Sequence, residues 1–191
     1  MTLYKAFLPQ HATHPHLERA ADMVVIVAGS LLMTAAAKVS IPFYPVPLSM
    51  QTFVAIGLGL ALGPVRGALA VLLYLAQGAA GFPVFAGSPE RGVGLAYMAG
   101  PTGGFLIGFV IQATVAGMLA DRGWDRTPAR TLAAALLAAA AIYPAGLLWL
   151  GALIGFDKPV LEFGLYPFVV GDLVKSALAA LVFPMLWRFM R

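Results

Sequence analysis

Apolar runs long enough to cross a hydrocarbon core of about 30 Å recur along this chain, separated by short polar, Gly-rich or Pro-rich stretches. Divided into segments of about 20 residues, they predict six membrane-spanning helices at roughly 20–41, 49–64, 66–82, 99–120, 130–155 and 164–187. The expected fold is all-α: one compact membrane domain, residues 1–191, with 1–19 as a cytosolic tail. The last span breaks its own pattern. Asp172 and Lys175 lie in the middle of Leu165–Phe183, a stretch otherwise apolar enough to cross a bilayer. Each charge near the membrane centre costs about 2.5–3.5 kcal/mol, so the pair offsets most of the gain from roughly eleven large apolar side chains at about −0.5 kcal/mol each. Spaced i, i+3, the two project from one helical face, where they can partly neutralise each other and reach one polar object between helices.

Composition points to the same solvent. With 61% hydrophobic and 10% charged residues and a mean hydropathy of +0.88, too little polar surface exists to coat a soluble globule of 191 residues. Cysteine is absent, which removes disulfides, thiolate metal sites and a cysteine nucleophile. The tail has no short apolar segment ending in a small-residue cleavage site, so the first span is expected to remain in the mature protein. Orientation follows from Lys and Arg. With the N-terminus inside, Lys5, Arg19, Arg66, Arg122, Arg126, Arg130, Arg188 and Arg191 face the cytoplasm against Arg91 and Lys158 outside, so both termini are expected to be cytoplasmic. That bias accounts for the net charge of +4 and fits a multi-pass protein of the cell membrane, in contact with the lipid bilayer. No basic stripe interleaved with aromatics points to nucleic acid.

Two outer loops have unusual composition. Ile41 to Thr52 holds three prolines in six residues, Pro42, Pro45 and Pro47, which favours rigid extended backbone able to fold over the bundle mouth as a lid. Gly78 to Gly104 contains Gly81-Phe-Pro-Val-Phe-Ala-Gly87, the neighbours Glu90 and Arg91, and Gly100-Pro-Thr-Gly-Gly104 at the start of span four. A proline just inside a helix, with glycines in its first turn, leaves free N–H groups and room for close approach.

These blocks carry a resemblance. Ile41-Pro42 with Pro45-Val-Pro-Leu-Ser-Met-Gln-Thr52, Leu62-Gly-Pro64 with Gly67, Tyr74-Leu-Ala-Gln-Gly78, Gly81-Phe-Pro-Val-Phe-Ala-Gly87, Gly100-Pro-Thr-Gly-Gly-Phe-Leu-Ile-Gly-Phe109 and Gly171-Asp-Leu-Val-Lys175 occur in order along the chain, which resembles the BioY family of biotin transporters. Members are substrate-capture subunits of energy-coupling-factor transporters. The resemblance implies a six-helix fold that binds biotin in an outward-facing pocket capped by the loop after span one. It also implies a membrane coupling protein and ATPase subunits as partners, and some members are reported to act without them. No Gly-x-x-x-x-Gly-Lys-Ser/Thr run is present, so any ATP-driven cycle needs separate ATPases.

Biotin asks for a ureido acceptor and donors, apolar walls and a cation for its carboxylate. Asp172 can accept from a ureido N–H. Lys175 can donate to a ligand oxygen while keeping Asp172 ionised. Gln77, one turn from Tyr74, offers both a donor and an acceptor, and Arg91 can meet a carboxylate through its planar fork. The resemblance implies that these four positions are polar ligand contacts; Tyr74 is expected in the ligand set beside Gln77, and Pro45, Pro47 and Gln51 in the lid. It implies no cofactor and no catalytic residue, biotin being the substrate carried. Family members often show Asn where this chain has Gln77, and their Ala-x-x-x-Ala docking surface on helix one has only Ala28, Gly29, Ser30 and Thr34 as small counterparts here.

Plainer readings stand beside each of these. Asp172 and Lys175 can be a structural ion pair locking span six to a neighbour. Arg91 can be a solvated partner of Glu90. Gln77 and Gln112 can be interhelical hydrogen-bond glue, Lys38 can snorkel to the outer interface, and the glycines at 57, 59, 63, 67, 104, 108 and 117 suit close helix packing. His11, His14 and His16 lack partner ligands, so no metal site is expected. An intramembrane enzyme needs converging nucleophile and base; every histidine lies in the tail, and a neighbouring cation makes Asp172 a poor base. A carrier for another vitamin-like molecule shares the architecture. A channel needs a ring of like charges or a continuous polar stripe, and neither is visible.

Overall fold

The computed structural model of the chain describes residues 2–7 and 15–189, and its regular structure is helical apart from one short hairpin. Helix α1 (Leu3–Phe7) is little more than one turn. Helix α2 (Pro15–Lys38) opens on a proline, whose missing N–H costs nothing there, and carries Glu18 in its first turn and Lys38 in its last, both favourable to the helix dipole. The proline-rich segment that follows does not run extended as expected: it bends at residues 44–46 and turns back, so that its ends pair as β1 (Ser40–Ile41) and β2 (Leu48–Ser49), antiparallel with Ser40 opposite Ser49. Helices α3 (Gln51–Leu62) and α4 (Pro64–Ala79) meet at Gly63, whose φ of 86° favours glycine, and Pro64 starts the second of them.

The outer loop contains α5 (Gly94–Met98) and leads into α6 (Gly103–Asp121). The expected span at 130–155 is two helices, α7 (Pro128–Ala140) and α8 (Tyr143–Ile154), because Pro144 has no N–H for the carbonyl of Ala140. The last expected span is likewise preceded by a short piece, α9 (Val160–Gly164), before α10 (Tyr166–Phe189), and Pro167 has no N–H for Phe163. Among the described residues, four stretches are long and apolar enough to cross a membrane: His16–Lys38, Gly103–Asp121, Pro128–Ile154 and Val160–Phe189. Helices α3 and α4, with 12 and 16 residues, are shorter than the predicted spans: Gly63 ends the first early, and the second stops at Ala79, ahead of Gly81 with its φ of 95°. At 1.5 Å per residue they extend about 18 and 24 Å.

Helix α6 is the centre of the bundle, packed on α3, α4, α7 and α8. Glycine makes its closest crossing: a Cβ on Gly59 of α3 would lie 2.3 Å from the Ala113 carbonyl, and one on Gly117 would lie 2.3 Å from the Pro64 nitrogen. Of the glycines expected to allow close packing, Gly57 alone has only ordinary contacts, 3.6 Å from Phe183.

The buried core divides in two. Near the hairpin it is aromatic, with Tyr74, Phe85, Tyr97, Phe105, Phe109 and Phe168. Toward the other end it is built on alanines at 116, 120, 134, 135, 138, 139 and 179, closed by Leu3, Ile56, Leu60 and Phe183. Leu3 belongs to that second core, and Thr2 and Tyr4 are buried with it, so the start of the expected tail is docked on the bundle.

Candidate functional site

On α10, Asp172, Ser176, Ala179 and Phe183 form a buried stripe at helical spacing, while Leu173, Val174, Leu178 and Leu181 are exposed on the other faces. This register turns the polar pair inward. Asp172 and Lys175 line a cavity with Val46, Pro47, Ser49, Gln51 and Thr52 from the hairpin and the start of α3, and with Ala86 and Thr102 from the outer loop. Phe105, Phe109, Ile142, Tyr143 and Phe168 supply the remaining walls, and the Phe105 and Phe168 rings stack at 6.1 Å.

The ionic chemistry is unevenly shared. Tyr143 donates to Asp172 Oδ2. The Lys175 ammonium is 3.7 Å from Asp172 Oδ1, yet it donates to the Ser49 carbonyl and the Thr52 hydroxyl, each at 2.8 Å. Its short bonds therefore go to the lid and not to the carboxylate. Asp172 Oδ1 is buried and has no hydrogen bond within 3.5 Å among the described residues; the cation facing it is Lys175 at 3.7 Å.

Other predicted residues are divided between this cavity and its surroundings. Pro47 and Gln51 line it. Tyr74 is wholly buried behind the wall, where its hydroxyl receives the Gln51 amide at 2.7 Å and its ring meets Phe85 edge-on at 5.5 Å. Gln77 faces α2 instead, its amide nitrogen 3.4 Å from Ser30 Oγ, and it is not among the cavity walls. Arg91 donates to the Phe43 carbonyl at 3.0 Å and lines a second, surface cavity of about 350 Å³ with Tyr44, Pro45, Tyr97 and Thr102. No Glu90–Arg91 salt bridge forms among the described residues.

Lys38 is exposed at the end of α2, where its ammonium donates to the carbonyls of Pro83, Phe85 and Ser88 at 2.7, 3.2 and 3.0 Å, because the outer loop folds back onto that end of the helix. Phe85 in turn stacks on Tyr97 at 4.6 Å, and the Tyr97 hydroxyl donates to Ala86 at 2.8 Å. Burial pushes the Tyr97 hydroxyl above its ordinary pKa, so it stays a neutral donor there. Of the tail histidines, His11 and His14 lie outside the described residues and His16 is exposed.

The two cavities are neighbours. Thr102 lines both, and the lid lies between them, with Tyr44 and Pro45 on the outer side and Val46 and Pro47 on the inner. The inner cavity has a free volume of about 30 Å³, far below the roughly 300–1,000 Å³ usual for small-molecule pockets.

Tyr143, Ser49 and Thr52 complete the site and were not singled out by sequence. Ser49 and Thr52 fall within the proline-rich block, while Tyr143 announced itself only by preceding Pro144 in an apolar run.

Comparison with known proteins gives this geometry a family. The BioY family model matches residues 10–191. A probable biotin transporter BioY of Pyrococcus horikoshii is 37% identical over 164 residues, covering 86% of this chain and 94% of that protein. The biotin transporter BioY of Thermotoga maritima is 37% identical over 151 residues, or 79% and 86% of the two chains. The fold is that of a crystal structure of the S-component for biotin from an ECF-type ABC transporter, with a TM-score of 0.73 at 21% identity, covering 92% of this chain and 95% of that one. Matched along nearly its whole length, the chain belongs to the BioY family.

Proposed function

We propose that this protein captures biotin from the outer side of the cytoplasmic membrane and carries it across, as the substrate-binding subunit of an energy-coupling-factor transporter. The observation that carries the reading is the buried Asp172–Lys175 pair, set among aromatic walls beneath a proline-rich lid. Relatives named as biotin transporters support the choice of substrate. Capture without turnover is the chemistry of such a site: it holds acceptors, donors and a cation, and it needs no reacting group.

In this reading the ureido ring lies at the inner cavity. Asp172 Oδ1 accepts one ureido N–H, and Tyr143 holds the other carboxylate oxygen so that the acceptor keeps its direction. Lys175 donates to the ureido carbonyl by exchanging one of its lid bonds, which couples binding to lid movement. The thiophane and valeryl chain lie against Phe105, Phe109 and Phe168, and the carboxylate reaches Arg91 in the outer cavity. Gln51, anchored on Tyr74, positions the lid. Gln77 serves as glue between α2 and α4.

The membrane arrangement belongs to the same proposal. Six crossings, α7–α8 and α9–α10 each counting once, put both termini in the cytoplasm and the lid outside. The coupling protein and ATPases come from other chains. Gly29 and Ser30 of α2 are buried, and a Gly29 Cβ would press within 2.8 Å of Ala70, so two of the four counterparts of the docking motif serve packing and Ala28 remains exposed for docking.

Calorimetric titration of the purified full chain with biotin and desthiobiotin tests the reading. One biotin per chain is expected, with desthiobiotin weaker because it lacks the thiophane sulfur and ring. Absence of binding to either, or tighter binding of an unrelated vitamin, would reject biotin as the substrate.

A further inference from the structure

The end of the molecule far from the lid carries a band of cations directly beside exposed hydrocarbon. The α6–α7 connection and the last turn of α10 meet there: Trp187 Nε1 donates to Asp125 Oδ2 at 2.6 Å, and the Arg126 guanidinium lies 4.8 Å from the Trp187 ring. Asp125 is completely buried, and burial raises its pKa above the usual carboxylate range. With the connection folded against α10, Arg122, Arg126, Arg130 and Arg188 all stand exposed at this junction. None of the four has a carboxylate within salt-bridge distance among the described residues, whereas Arg66 at the same end is paired with Asp22. Asp121 is the exposed carboxylate alongside, so a positive excess remains.

The apolar neighbours say what kind of surface this faces. Met118, Leu132, Met185 and Leu186, each within about a turn of one of these arginines, are exposed. Hydrocarbon on one side and guanidinium forks on the other reproduce the profile of a leaflet, with acyl chains below and phosphates above. A guanidinium also binds phosphate oxygens through two parallel N–H bonds. The lid end lacks this property, because Lys38 and Arg91 donate to backbone carbonyls and Lys158 is 3.3 Å from Asp157.

We infer that this junction is a docking surface for the headgroups of anionic phospholipids, with Arg122, Arg126, Arg130 and Arg188 as phosphate ligands. The inference rests on the reading that the helices cross a bilayer, and it does not depend on which vitamin is carried. The test titrates full-length protein in detergent with phosphatidylglycerol or phosphatidylcholine, counts retained lipid by native mass spectrometry, and measures biotin capture on the same samples. Phosphatidylglycerol is expected to be retained in preference. Arg122→Gln combined with Arg130→Gln is expected to weaken that retention about 25-fold, roughly fivefold per arginine, with biotin capture unchanged. Equal retention of the two lipids, an unaltered preference in the double variant, or complete displacement by inorganic phosphate would each overturn the inference. Lipid preference without biotin capture supports it while removing the transport reading.

Discussion

Two ion pairs of similar composition do opposite work at the two ends of this bundle. Asp22 and Arg66 bond directly at 2.7 Å, with side chains 31% and 26% exposed, and Tyr4 donates to the same carboxylate oxygen at 2.7 Å while its ring lies under the guanidinium. Asp172 and Lys175 are more deeply buried, 8% and 13% exposed, yet stand 3.7 Å apart. The first pair satisfies its own members and ties α1, α2 and α4 together. The second leaves a carboxylate oxygen with a cation no closer than 3.7 Å and gives the short bonds of that cation to the lid. Burying charge is worthwhile for stability only when the geometry is close and the remaining polar atoms are satisfied. The lid-end pair fails that standard as a structural element, which is what the proposed role in ligand capture accounts for.

Substitutions can break this contrast. The largest effect is expected from Lys175→Met, which removes the donor to both lid and guest and strands Asp172; truncating one partner of a buried charge pair costs binding about 2–5 kcal/mol, so biotin affinity should fall by at least about 30-fold. A titration within threefold of the parent would remove Lys175 from the site. Next, Arg91→Gln should cost biotin about tenfold in affinity, the low end for a charged hydrogen bond, while leaving an amide of biotin's carboxylate nearly unchanged. Equal losses for acid and amide would mean that Arg91 acts on the lid through Phe43 and not on the ligand.

At the other end the effects should appear in stability and not in binding. Asp22→Asn is expected to lower unfolding stability by about 1 kcal/mol, as befits a half-exposed pair, with biotin affinity unaltered; thermal unfolding with and without biotin separates the two. The smallest effect concerns pH. Desolvation, then the hydrogen bond and charge of Asp22, push the Tyr4 hydroxyl up to about 12. A raised tyrosine pKa means that the folded chain keeps a proton the unfolded chain has lost, so this contribution is complete below pH about 10 and is lost as pH rises toward about 12. Tyr4→Phe should therefore be less stable than the parent near neutrality and indistinguishable from it above pH about 12. A stability gap independent of alkaline pH would show that Tyr4 contributes by packing alone.

How much of this was legible in the sequence depends on the strength of each residue's local signal. Asp172 and Lys175 stood out because charge in an apolar run is costly, and the lid stood out because Pro42, Pro45 and Pro47 constrain the backbone wherever they fall. Tyr143 carries no charge and gives no such signal; its role arises only when the α7–α8 break is brought against α10, 29 residues on. The partners of Lys38 give no local signal for the same reason, since the carbonyls it binds lie 45 to 50 residues away. Gln77 stands one turn from Tyr74, yet the partners the fold brings to each differ: Tyr74 meets Gln51 at the lid and Gln77 meets Ser30 on α2, 23 and 47 residues away, which no local pattern shows. Counting spans by length also hid the break at Pro144, where a local proline outweighed continuous hydrophobicity.

The most direct measurement sets the two carboxylates against each other in one calorimetric experiment. Asp172→Asn should weaken biotin capture by about 1–3 kcal/mol, roughly 5- to 150-fold, with the protein still folded, while Asp22→Asn binds like the parent. Equal affinity in the two variants, or a loss confined to Asp22→Asn, would contradict the assignment of the outer pair to the ligand.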